Sequence, residues 1–193
     1  MRLPEIEVGD DLRHRLLITT ISRFSGMRLP DAARVAFYHR DFAGPALGAW
    51  TQRAMRGPSG WSVSERELMA SMVAHWLACP FCVGAHGAIA VRGMDSALVE
   101  AVHDDYRTAQ IPERLRATLV FLEKLTRTPD DLSVADARAV REAGVQPQEL
   151  SDAAAVASIF NVIARYANAL GFDIPTPEEF DKAAGMLLRR GYS

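Results

Sequence analysis

The chain has 193 residues, 49% hydrophobic and 24% charged, the balance of an ordinary soluble globular protein, and one large domain is expected. A formal charge of -2 gives no electrostatic case for nucleic acid or an anionic membrane surface as a partner. The opening MRLPEIEVGDD lacks the apolar core of a secretory signal, and the uncharged run from Leu68 to Val91 is broken by His75, Pro80, Gly84, His86 and Gly87. No membrane span is therefore expected, and the cytoplasm is the default location.

In chain order, almost every segment reads as helix, punctuated by proline and glycine. Asp10 to Phe24 carries Leu12, Leu16, Leu17 and Ile21 at helical spacing and ends near Gly26. Pro30 suits the first position of a helix running to about Phe42, and Gly44-Pro45 opens another over Ala46 to Arg56. After the loop Gly57-Pro58-Ser59-Gly60, two overlapping capping boxes, Ser62 with Glu65 and Ser64 with Glu67, compete to start the next helix.

Pro80 splits the following stretch into helices of roughly 63–77 and 80–92, because proline disfavours helix in the residue before it and favours a first helical position. Asp95 caps a short helix, Pro112 opens one through Leu125, and Ser133 with Asp136 starts one that Gly144 stops. Pro147 opens the long run to Leu170, closed by Gly171, and Thr176 starts the last helix. No segment alternates with period two and β-branched enrichment. The fold class expected is all-α, with about eight or nine helices in a single domain over residues 1–193.

The chemistry concentrates in Cys79-Pro80-Phe81-Cys82-Val83-Gly84-Ala85-His86, which holds both cysteines of the chain. Residues four apart on a helix are surface neighbours, so His86 falls one turn from Cys82. A helix starting at Pro80 also puts Cys82 in its first turn, where free N–H groups and the dipole favour an anion. Cys82 is therefore expected to be the more acidic thiol and the attacking one, with Cys79 as its resolving partner. If the two helices fold back on one another, Glu67 returns toward His86 and orients it, a nucleophile–base–orienter arrangement.

A close cysteine pair in a reducing compartment points to catalysis, redox sensing or metal binding rather than to a staple. Zinc is the rival: Cys79, Cys82 and His86, with His75, are three or four ligands at feasible spacings, but no second ligand pair exists elsewhere. The expectation is a site without metal or cofactor. Asn161, Arg165 and Asn168 share one face of an apolar helix and read as a polar stripe at the core edge. His14, His39 and His103 read as surface residues, and Trp50, Trp61 and Trp76 as packing.

These residues resemble the alkyl hydroperoxidase D (AhpD)-like family of the carboxymuconolactone decarboxylase superfamily. The resemblance rests on Ser64-Glu65-Arg66-Glu67-Leu68 and the C-x-x-C-x-x-x-H of Cys79, Cys82 and His86. Arg114, Leu125-Thr126-Arg127, Phe160-Asn161 and Leu170-Gly171 are similar to its peroxidase-related branch, and the likeness spans roughly residues 30–175. It implies an all-helical fold, homo-oligomers (trimers, dimers or hexamers), and a thiol-dependent hydroperoxide reductase or disulfide oxidoreductase without cofactor. By the same resemblance Cys82 attacks the peroxide, Cys79 resolves, Glu67 and His86 relay the proton, and a lipoyl group or thioredoxin-type protein is the dithiol reductant. Phe81 departs from the family, whose best-known members carry histidine there. A lactone decarboxylase and a zinc-stabilised helical interaction module are the alternatives.

Overall fold

The computed structural model describes residues 1–192, and among them there is no strand. Twelve α-helices follow in order: α1 (Pro4–Val8), α2 (Leu12–Ser25), α3 (Asp31–Tyr38), α4 (Arg40–Ala43), α5 (Pro45–Arg56), α6 (Val63–Trp76), α7 (Pro80–Ala90), α8 (Ser96–Asp105), α9 (Glu113–Arg127), α10 (Val134–Glu142), α11 (Pro147–Leu170) and α12 (Pro177–Arg190). The count exceeds the expected eight or nine. Part of the excess is a short N-terminal helix at Pro4 and a break at His39 that divides the stretch expected as one helix from Pro30 into α3 and α4.

The punctuation acts as its chemistry dictates. Ser62 accepts from the Glu65 backbone N–H at 3.1 Å while the Glu65 carboxylate accepts from the Ser62 N–H at 2.8 Å, a reciprocal capping box. The competing box on Ser64 is not formed, which releases Glu67 for other contacts. Thr176 and Glu179 build the same box on α12, and Gly171 ends α11 at φ 65, a left-handed conformation suited to glycine.

α6 is the central element. Every residue from Arg66 to Ala74 is buried, as in a helix enclosed by neighbours on all sides. Those neighbours are α5, α7, α8, α9 and α11. Met55, Leu68, Met69, Met72, Leu119, Leu122 and Phe160 form the heart of the main core. Trp61 closes one end, its Nε1 donating to the Glu149 carbonyl at 2.8 Å and its ring lying under the Arg114 guanidinium at 4.0 Å. α11 is long and apolar enough to cross a bilayer by length and composition, but Ala153, Val156, Ala157, Phe160, Ala164 and Ala167 are buried on α5, α6, α7 and α9.

Two sets of large apolar side chains lie outside the core. In α2 only Ile18 is buried; Leu12 is 82% exposed and Phe24 87%, so the leucine stripe faces outward. Trp50 is exposed as well and packs no core, whereas Trp61 does. Both differences share one cause: periodicity shows which residues share a face, not whether a partner covers it.

A candidate redox site at the turn between α6 and α7

The chain reverses between Leu77 and Pro80. Leu77 caps α6, Ala78 takes φ 51, Cys79 has φ -106 and ψ 88, and Pro80 opens α7. Helix does not continue through Cys79, as the proline after it predicts. Asn168 of α11 holds this turn by donating from Nδ2 to the Leu77 carbonyl at 2.9 Å. Phe180 of α12 lies so close over Gly84 that a Cβ there would collide with its ring, which explains why glycine occupies this turn of α7.

The reversal brings Glu67 and His86 together. His86 Nδ1 is 2.6 Å from Glu67 Oε2, inside the protein, with Glu67 wholly buried and His86 6% exposed. Arg56 Nη1 sits 2.7 Å from the other carboxylate oxygen, Oε1. The Tyr192 hydroxyl, beyond the end of α12, donates to Oε1 at 2.8 Å and lies 3.1 Å from Oε2. Burial pushes the Glu67 carboxyl up, but the His86 hydrogen bond, the charges of His86 and Arg56 and the Tyr192 hydroxyl outweigh it, and the net shift is downward.

An ionised carboxylate is only an acceptor, so the Nδ1 facing it carries the ring proton. In the neutral form of the ring His86 Nε2 is then left with its lone pair, the state a general base requires. The ring is held further by an edge-on contact with Phe160, centroids 4.4 Å apart.

The thiols are unbridged and each 1% exposed, in a small apolar cluster with Phe81, Ala164 and Ala167 and with Phe172 packed against it. Phe81 meets Phe172 edge-on at 5.2 Å and approaches Phe180 at 6.2 Å, so an aromatic cluster stands between the two cysteine positions and α12. Their acidities are the reverse of the sequence expectation. Donation from the Cys82 thiol, aided by the backbone N–H groups of Cys82 and Phe81, outweighs burial and draws the Cys79 thiol down to about 7. Cys82, donating to Cys79, buried and facing the Cys79 charge, is pushed up. These influences favour the anion on Cys79, at the helix cap, over Cys82 in the first turn.

The remaining sequence candidates serve the frame. Asn161 donates to Thr126 Oγ1 at 3.2 Å and to the Ala157 carbonyl at 3.0 Å, and Arg165 is exposed. His103, expected at the surface, is half-buried and pairs through Nε2 with Ser71 Oγ at 2.7 Å, with His75 stacked on it. His14 is likewise half-buried, and His39 is exposed. Among the described residues no three His, Cys, Asp or Glu side chains are grouped to hold a metal ion.

Two residues of the network escape the sequence reading, Arg56 and Tyr192. The available signal is indirect: a carboxylate inside a buried helix demands a counter-charge and donors from elsewhere.

No protein-family model matches the chain, and no curated protein matches it significantly. Solved structures do. An uncharacterized peroxidase-related protein from Silicibacter sp. TM1040 is 27% identical with a TM-score of 0.74, over 88% of this chain and 87% of that one. An AhpD-core, peroxidase-related protein from Ralstonia eutropha JMP134 is 28% identical with a TM-score of 0.74, over 93% and 94%. The debrominase Bmp8 shares the fold at 18% identity, with a TM-score of 0.67 over 91% and 93%. All-helical architecture, a shared course over most of both chains and identity above a quarter with the two peroxidase-related proteins agree in supporting an AhpD-like superfamily assignment for the chain.

Proposed function

We propose that the protein is a thiol-dependent hydroperoxide reductase in which Cys79 and Cys82 cycle between dithiol and disulfide, with Glu67 and His86 as the proton relay. The observation that carries this reading is the 2.6 Å contact between Glu67 and His86, which leaves an imidazole base one helical turn from Cys82. The thiol acidities support Cys79 as the resting thiolate and the attacking sulfur. It adds to the distal oxygen of the hydroperoxide as the O–O bond breaks, and the alkoxide takes a proton from solvent and leaves as alcohol. His86 then accepts the Cys82 thiol proton on Nε2. Cys82 attacks the Cys79 sulfur, the S–O bond breaks, and hydroxide departs as water with the proton His86 returns. An external dithiol supplies two electrons and two protons to restore the pair.

The opposite order, attack by Cys82, is favoured by its spacing from His86 alone. Limited peroxide and a dimedone-type probe separate the two. Cys82→Ser labelled on Cys79 supports attack by Cys79; Cys79→Ser labelled on Cys82 supports attack by Cys82. Peroxide consumption that survives loss of both thiols ends the proposal. A debrominase with the same fold makes a bromopyrrole a useful control substrate in that assay. The homo-oligomeric habit of the family carries over as part of this proposal, and the exposed Leu12, Leu16 and Phe24 stripe of α2 is a surface such assembly would cover.

A further inference from the structure

The geometry points to Tyr192 as a positioning residue that fixes the Glu67–His86 couple, an inference that rests on reading that couple as the proton relay. Tyr192 follows α12 and reaches the site from outside α6 and α7, the helices that carry the couple. Its hydroxyl contacts both carboxylate oxygens of Glu67, at 2.8 and 3.1 Å, and lies 3.3 Å from His86 Nδ1. Its ring stacks on His86 with centroids 6.2 Å apart and a 24° tilt, and the Arg56 guanidinium lies 4.9 Å from the ring centre. Its backbone N–H donates to Gln52 Oε1 at 2.8 Å, which anchors the residue to α5. Tyr192 is thus attached through its hydroxyl, its ring and its backbone, and the hydroxyl holds the carboxylate itself.

A carboxylate held only by Arg56 and His86 keeps one torsion free to swing Oε2 away from Nδ1. The Tyr192 hydroxyl, whose single proton goes to Oε1 at 2.8 Å, adds a third hold on the carboxylate and opposes that swing. It remains the neutral donor throughout, because burial first and the Glu67 charge second hold its own ionisation well above the ordinary tyrosine range. The consequence is one ring tautomer, with the proton on Nδ1 and the lone pair on Nε2. Without the hydroxyl the carboxylate samples other orientations and the imidazole mixes tautomers, so a fraction of the molecules lacks the base.

The test uses the full chain and its Tyr192→Phe variant, which keeps the ring and loses the hydroxyl. Ring-nitrogen NMR shifts of His86, assigned with His86→Asn, report the tautomer, and peroxide-driven thiol loss reports the relay. The wild type is expected to show Nδ1–H, and Tyr192→Phe to show mixed tautomers with thiol oxidation slowed about tenfold. Gln52→Ala, which loosens the anchor without touching the phenol, is expected to move both readouts the same way by less, and serves if the first variant folds poorly. A Tyr192→Phe protein with the wild-type tautomer and a rate within about twofold of wild type overturns the assignment. A wild-type protein inert to peroxide ends the peroxidase reading, while the tautomer measurement still decides the role of Tyr192.

Discussion

Glu67 Oε2 and His86 Nδ1 lie 2.6 Å apart although nineteen residues separate them in the chain. Neither residue supplies that proximity. It comes from the reversal at Leu77–Pro80, from Asn168 clamping the turn, and from glycine at position 84, which lets α12 settle on α7. The side chains that complete the couple, Arg56 and Tyr192, arrive from α5 and from beyond α12.

Replacing Glu67 with Ala should cost about 3–5 kcal/mol of folding stability, because it leaves the buried Arg56 guanidinium without its counter-charge. Among the described residues Nε and Nη2 of Arg56 find no partner, and Nη1 keeps only the neutral Met55 carbonyl at 3.0 Å. Urea unfolding measures this directly. A loss below about 1 kcal/mol would mean that the pair is no stronger than an exposed one.

Acid should reveal the same carboxylate. Its folded-state pKa lies below the ordinary 4.5, so the stability it contributes is complete above that value and drains away as pH falls below it. Glu67→Gln removes the titration. Wild-type stability should therefore fall more steeply than the variant's below about pH 4.5, and parallel acid limbs in the two proteins would contradict the shift.

The thiolate titration should depend on the partner sulfur. Wild-type protein is expected to show ultraviolet thiolate absorbance with a midpoint near the value of about 7 assigned to Cys79. Cys82→Ala removes the strongest influence on it, the S–H donation, and the Cys79 midpoint should climb toward 9.0. A midpoint that stays put would assign the acidity to the helix start alone.

Much of this is legible in the sequence, and the failures have physical reasons. Pro80 predicts the break, since its ring disfavours helix at Cys79. Ser62 and Glu65 predict the helix start, and Gly171 a stop, because caps are local chemistry. Glu67 and His86 are visible as candidates through spacing. Arg56 and Tyr192 are not, because a contact spanning 125 residues leaves no trace in any local pattern. The two readings of the thiol order diverge for a related reason. Spacing favours Cys82 through His86, whereas the folded geometry gives Cys79 both a neighbouring S–H donor and the helix cap. The outward leucines of α2 show the same limit, for amphipathicity is legible and its partner is not.

Ala78 offers a test of the turn itself. Its φ of 51 places an L-residue with a side chain in the left-handed region, at a cost of about 1 kcal/mol that glycine would not incur. The gain is partly offset by the greater freedom of glycine in the unfolded chain, so Ala78→Gly should stabilise the protein by about 0.5 kcal/mol. Ala78→Val should destabilise it by more than that. Thermal unfolding of the pair checks the sign, and a destabilised Ala78→Gly would show that this conformation is not strained.

The burial of both sulfurs, each 1% exposed, sets a sieve on who meets them. On the proposed chemistry an acidic thiolate is packed among Phe81, Ala164, Ala167 and Phe172, so small oxidants should reach it more readily than bulky electrophiles. Iodoacetamide-type reagents should then modify Cys79 slowly despite its acidity, since access and not nucleophilicity limits the encounter. The reductive half of the cycle faces the opposite problem, because the sulfur of a protein or lipoyl dithiol is attached to something large. If the proposed chemistry holds, reduction by a protein or lipoyl dithiol should therefore be more sensitive to bulk at Phe81 and Phe172 than oxidation by a small peroxide.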